Sequence, residues 1–115
     1  MLIYSQTSGE LRTSAGELIG VGFSGFENMR NTPKFDETLH GPIPKRLWDI
    51  YLPRRKRDSW EMLLQPQTPV WRTAHGQFSI GAGETSYGCI NLPVEAVARV
   101  VELWEQGDRT LKVVL

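Results

Sequence analysis

Apolar and polar positions follow a short-period rhythm through most of the chain and a helical one near its end. Leu2-Ile3-Tyr4-Ser5-Gln6, Glu10-Leu11-Arg12-Thr13 and Leu18 to Phe23 are short runs separated by Thr7-Ser8-Gly9 and Ser14-Ala15-Gly16. In the third run Ile19, Val21 and Phe23 share one face, the period of a half-buried strand. Glycines stand where a tight turn needs positive φ, so these residues predict a β-meander. Leu47–Leu52, Trp60–Leu64, Val70–Thr73, Gln77–Ile80 and Leu111–Leu115 are further strand candidates, with Pro53–Asp58 turning between the first two. Only after Leu92 does the spacing lengthen. Val94, Val97, Ala98, Val101 and Trp104 recur at helical intervals and predict one buried stripe. Pro93 suits the first helical position, Glu95 the positive end of the helix dipole, and Gly107 the stop.

Between the meander and the later strands the pattern dissolves. Residues 24–40 carry Gly25, Asn28, Asn31, Pro33 and charges, and so predict a long connection that caps a site. Gly41-Pro42-Ile43-Pro44 follows as a stiff, extended lead-in to the next strand. The expected fold is mainly β with one helix, in a single domain over residues 1–115.

Composition narrows the functional classes. With 115 residues the chain builds one core, and 40% hydrophobic with 23% charged residues is ordinary for a globular domain. Thirteen basic residues balance thirteen acidic ones, which removes the electrostatic case for nucleic acid. No run approaches the roughly 20 apolar residues of a membrane span, so no membrane insertion is expected. Met1 to Gly9 lacks the basic start and apolar stretch of a secretory signal. The expectation is a protein that stays cytoplasmic until another route exports it. Cys89 is the one cysteine, so an internal disulfide is excluded. It is a free thiol, an intermolecular partner or a nucleophile.

The chemistry concentrates between residues 75 and 93. His75-Gly76 is followed by the glycine-containing stretch Ser79-Ile80-Gly81, then by Ser86-Tyr87-Gly88-Cys89-Ile90. A histidine fourteen positions before a cysteine reverses the chain order of papain-like peptidases. A thiol is only a few per cent ionised at neutral pH, and a nearby imidazole activates it as base or cationic partner. Gly88 lets the backbone bend so that the sulfur is exposed and amide N–H groups converge. Those of Tyr87, Gly88 and Cys89 are the oxyanion-hole candidates, each worth about 3 kcal/mol to a tetrahedral intermediate. Ser86 is placed to brace the loop or orient the imidazole.

His-Gly, a short glycine-containing stretch and Ser-x-Gly-Cys followed by an apolar residue resemble the L,D-transpeptidase catalytic domain, whose chain also continues into a helix and a final strand. Gly41-Pro42-Ile43-Pro44 is similar to a segment of the related type VI secretion effectors. The resemblance covers about the C-terminal two-thirds of the chain. It implies an L,D-transpeptidase-like β-sandwich or barrel, with Cys89 as nucleophile, His75 managing the proton and Ser86 supporting them. The implied reaction is acyl transfer on peptidoglycan tetrapeptide stems: L,D-carboxypeptidase, L,D-transpeptidase or D-amino-acid exchange. It needs neither metal nor organic cofactor. Further implications are action in the periplasm or cell wall as an antibacterial effector, and a cognate immunity protein as partner. The sequence departs from the family in carrying Tyr87 and Asn91 where histidine or arginine is frequent. In the related effectors the histidine directly follows Phe-x-Ile, a register that falls on Gly81 here; the His-Gly pairing instead selects His75. A catalytically inactive module that binds peptidoglycan or a protein on the same fold is the alternative.

The remaining candidates have simpler readings. In the run Arg54-Arg55-Lys56-Arg57, a solvated turn competes with capture of a substrate carboxylate by Arg54, Arg55 and Arg57. His40 reads as a loop residue. Trp48, Trp60, Trp71 and Trp104 read as packing, with one of them free to line a cleft. One cysteine and two histidines fall short of a zinc site unless a carboxylate joins them.

Overall fold

A computed structural model describes residues 1–70, 72 and 77–115. The meander forms as expected. Strands β1 (Leu2–Ser5), β2 (Glu10–Thr13) and β3 (Leu18–Val21) pair antiparallel in turn. Gly9 and Gly16 take φ of 74° and 92° at the two turns. The later strands are β4 (Leu47–Ile50), β5 (Arg54–Lys56), β6 (Ser59–Pro66), β7 (Phe78–Gly81), β8 (Ile90–Asn91) and β9 (Thr110–Val114). The helix α1 spans Val94–Glu105, between β8 and β9.

All the strands belong to one sheet, ordered β3-β2-β1-β9-β4-β6-β7-β8, with β5 paired beside the first half of β6. Two pairings are parallel, β1 with β9 and β7 with β8. Beyond β3, the Phe23 N–H donates to the Asn91 carbonyl at 3.0 Å and the Asn91 N–H to the Phe23 carbonyl at 2.8 Å. This bridge joins the two ends of the sheet. The fold is mainly β with one helix, as the sequence predicts, and its sheet is a single curled half-barrel instead of two stacked sheets. The helix packs against β3, β6 and β7.

Alternation in β7 and β8 sets up everything that follows. Phe78, Ile80, Ile90 and Leu92 are buried in the core, with the Trp48 ring tilted against that of Phe78 at 5.1 Å. Burying each such side chain contributes about 1.5–3 kcal/mol. Their neighbours Ser79, Gly81, Cys89 and Asn91 therefore face the other way, onto one cleft.

Several expectations need correction. Residues 53–58, read as a turn, contain the short strand β5. Its side chains are all exposed, so no apolar alternation marks it. The strand expected over Val70–Thr73 is not formed at Val70, and Arg72 lies in a 3-10 turn; the rest of that segment is outside the described residues. Residues 24–40 hold two 3-10 turns, Glu27–Met29 and Pro33–Phe35. Pro93 caps α1 from outside instead of opening it. The buried stripe is Ala96, Val97, Val100, Val101 and Leu103, with Val94 half exposed and Ala98 and Trp104 partly covered. The rotation has its cause on the neighbouring strand β3. Gly20 on β3 leaves space into which Ala96 packs, so close that a Cβ at Gly20 would stand 2.6 Å from that of Ala96. This turns Val94 toward the cleft.

Candidate active site

Cys89 sits at the end of a tight turn, just before β8, partly exposed on the wall of a cleft of about 410 Å³. Its Sγ lies 3.8 Å from the Gln77 carbonyl, within range of a thiol hydrogen bond. Gly88 takes φ of 131°, a conformation open to glycine, and a Cβ there would lie 2.7 Å from the Phe78 ring and 2.8 Å from Arg72 Nη2. The turn before the cysteine therefore lies flush against two buried side chains.

Ser86 braces this turn. Its Oγ accepts from the Gly25 and Gly88 N–H groups at 3.0 and 3.1 Å and donates to the Cys89 carbonyl. That hydroxyl is fully used within the loop, which accounts for Ser86 being buried. It also occupies the Gly88 N–H, one of the three oxyanion-hole candidates. The amides of Tyr87 and Cys89 have no hydrogen-bond partner among the described residues.

Two residues that sequence reasoning missed complete the support. Ser24, fully buried, donates from Oγ to the Gly88 carbonyl at 2.8 Å and accepts the Ile43 N–H at 2.8 Å. Arg72, 2% exposed, spreads its guanidinium over five carbonyls. Nη1 donates to Asp36 and Pro42 at 2.8 and 2.7 Å. Nη2 donates to Leu39 and Gly41, both at 3.0 Å, and to Tyr87 at 3.4 Å. It also lies over the Phe78 ring at 5.0 Å. Burial holds this guanidinium below its usual range, against the opposing pull of Glu37, Asp36 and Cys89. Residues 24–43 are thus wired to the cysteine turn from behind. None of the described cleft-lining residues comes from 24–40, so this segment buttresses the site instead of capping it.

The opposite wall is the β5–β6 hairpin. Glu61 on β6 is bridged by Arg54 at 2.8 Å and Lys56 at 3.0 Å. Burial opposes its ionisation, and the hydrogen bonds and charges of Lys56 and Arg54 outweigh that, so the carboxyl is held below the usual glutamate range. Of the three arginines expected to bind a carboxylate, only Arg57 lines the cleft. It makes no ion pair among the described residues and holds φ of 55° at the hairpin turn. Arg54 is used by Glu61, and Arg55 lies over the Trp60 ring at 5.0 Å. Among the described tryptophans Trp60 reaches the cleft, and Trp71 lies outside the described residues.

His75 lies outside the described residues. His40 is exposed and does not border the cleft; its ring stands 4.9 Å from that of Tyr87, which in turn stands 4.9 Å from Phe26. Gly81 does border the cleft, one strand from Cys89. A Cβ built there would meet nothing nearer than the Trp60 carbonyl at 3.6 Å, an ordinary contact, so the position accepts a Cβ on the cleft wall. Among the described residues no three of His, Cys, Asp and Glu converge as a metal site would require.

Among the described residues the arrangement offers a partly exposed thiol, an amide pointing away from a locked carbonyl, and Arg57 across the cleft without an ion pair. Compared with models of known protein families, with curated proteins and with solved structures, the chain matches none.

Proposed function

We propose that the protein is a cysteine-dependent acyl-transfer enzyme of peptidoglycan tetrapeptide stems, built on an L,D-transpeptidase-like fold. The observation that carries this reading is Cys89 itself, held on the cleft wall by a turn whose carbonyls at Tyr87, Gly88 and Cys89 are all hydrogen-bonded. A cysteine that served only as core filling would not need such a turn, nor border a cleft.

In the proposed reaction His75 takes the thiol proton, and the Cys89 sulfur attacks the carbonyl on the L-centre side of the stem, forming a C–S bond as the C=O opens to an oxyanion. The oxyanion takes a hydrogen bond from the Cys89 amide. Collapse breaks the C–N bond, and the terminal D-alanine leaves once its nitrogen gains a proton, which His75 would deliver. Water, a second stem's amine or a free D-amino acid then resolves the thioester. Arg57 would receive a substrate carboxylate. Export to the periplasm or cell wall, an antibacterial role and a neutralising immunity protein belong to the same proposal; the likeness of Gly41-Pro42-Ile43-Pro44 to the secreted effectors supports them.

Mass spectrometry of a disaccharide-tetrapeptide incubated with wild type and with Cys89→Ala tests it. Loss of one D-alanine, a dimer or an exchanged residue, seen with wild type alone, is the expected result. No change with folded wild type would sink the proposal.

Gly81 favours a second reading, an inactive binding module. It occupies the cleft wall at the register that follows Phe-x-Ile, and it offers no group to move a proton. On this reading the tetrapeptide binds without turnover, and Gly81→His confers processing that wild type lacks.

A further inference from the structure

Resting on the acyl-transfer reading, we infer that Ser24 is a positioning residue for Cys89: its hydroxyl fixes the Gly88–Cys89 peptide so that the Cys89 amide is the oxyanion donor.

The inference begins with the direction of one hydrogen bond. A hydroxyl carries a single hydrogen and two acceptor lone pairs. The Ile43 N–H can only donate, so it takes a lone pair of Ser24 Oγ, and the Ser24 hydrogen goes to the Gly88 carbonyl. Both bonds are 2.8 Å, and the side chain is fully buried, where water cannot replace either of them. The Gly88 carbonyl is therefore pinned inward.

Peptide planarity does the rest. No cis bond occurs among the described residues, and in a trans peptide the C=O and N–H point in opposite directions. With its carbonyl held on Ser24, the Gly88–Cys89 unit aims its N–H away from Ser24, and that amide has no partner among the described residues. Cys89 itself borders the cleft.

The other bonds around the turn do not achieve this. Arg72 holds the Tyr87 carbonyl, and Ser86 holds the Gly88 N–H and the Cys89 carbonyl. These fix the peptides before and after the 88–89 unit. Gly88, lacking a Cβ and already at φ of 131°, places the weakest restraint of any residue on the peptide that follows it. Ser24 supplies that restraint from 64 positions away.

Two reactions of the same sulfur separate orientation from exposure. Acetylation by p-nitrophenyl acetate forms a C–S bond through an oxyanion, then breaks the ester C–O bond and releases p-nitrophenolate. Alkylation by iodoacetamide displaces iodide at saturated carbon and needs no oxyanion donor. Both rates are measured on wild type, Ser24→Ala and Ser24→Thr, with circular dichroism establishing that each is folded. Ser24→Ala is expected to acetylate about tenfold or more slowly than wild type, while alkylation changes by less than about threefold. Ser24→Thr, which keeps the hydroxyl, restores the acetylation rate. An equal fall in both reactions, or no fall in either, overturns the inference, because Ser24 would then act on the fold alone or not at all. If wild type acetylates no faster than its own urea-unfolded chain, the acyl-transfer reading fails, and the role of Ser24 fails with it.

Discussion

Arg72 is where the support of the site is most exposed to test by stability. Replacing it by methionine preserves most of the volume and removes every donor. Five carbonyls lose their partner, and three of the bonds, to Asp36, Gly41 and Pro42, are buried. Water can reach the other two, at Leu39 and Tyr87. A buried acceptor left unsatisfied costs about 1–3 kcal/mol, so the three together cost at least about 3 kcal/mol. That is a large share of the roughly 5–15 kcal/mol that holds a domain of this size together. At roughly 4–5 °C per kcal/mol, the thermal midpoint should fall by about 12–15 °C. Arg72→Lys keeps the charge but offers three donors in place of a planar fork, and should lose about half as much. Differential scanning calorimetry at fixed pH measures both. A midpoint for Arg72→Met within about 3 °C of wild type would refute the account, since it would mean these carbonyls had other partners all along.

Other substitutions probe separate links. Gly88→Ala should lower stability by about 2–4 kcal/mol in urea titrations, because it combines an unfavourable φ with contact against Phe78 and Arg72. Gly81→His should melt within a few degrees of wild type, since a Cβ there meets no atom nearer than 3.6 Å and the residue borders the cleft. Arg57→Gly should gain up to about 1 kcal/mol by relieving positive φ, while raising KM for a carboxylate-bearing substrate; an unchanged KM removes Arg57 from the binding role. The Glu61 carboxyl is ionised more readily in the folded chain than in the unfolded one, so its contribution is present above the ordinary glutamate range and lost as pH falls below it. Glu61→Gln should therefore flatten the acid limb of a stability–pH curve, and an unaltered limb would show that the Arg54 and Lys56 contacts contribute nothing.

Much of the scaffold was legible because it depends on neighbours in the chain. Leu11 stands between Glu10 and Arg12 and is buried accordingly, and the helix after Pro93 follows from its spacing. What escaped depends on distant contacts. β5 consists of Arg54, Arg55 and Lys56, which look like a solvated turn until Glu61 and Trp60 are seen beside them. The face of α1 is chosen by Gly20, more than seventy residues upstream. At the site, the turn around Cys89 was readable from Ser86, Gly88 and Cys89 because its bonds are local. Ser24 and Arg72 were not. Ser24 reaches Gly88 across 64 positions and Arg72 reaches Asp36 across 36, and neither residue type is unusual in a loop. The one available signal was the unexplained length of residues 24–40, and it suggested a lid where the chain builds a buttress.

The place of β9 has a consequence for how the molecule comes into being. β9 lies between β1 and β4, parallel to one and antiparallel to the other, and among the described residues it and the Phe23–Asn91 bridge supply the backbone pairing that links the meander to the later strands. On a ribosome, residues 1–23 emerge before β9, and β1 must wait for Leu111 and Val113 before its outer edge is covered. Until then two partial sheets with unpaired edges coexist on one nascent chain, an arrangement open to wrong pairing and attractive to chaperones. Completion is a late, non-local event of the kind that slows folding. The bonds that hold the cysteine turn, from Ser24, Arg72 and Ser86, all join residues that precede β9, so the setting of the thiol is separate in the chain from the strand that closes the sheet.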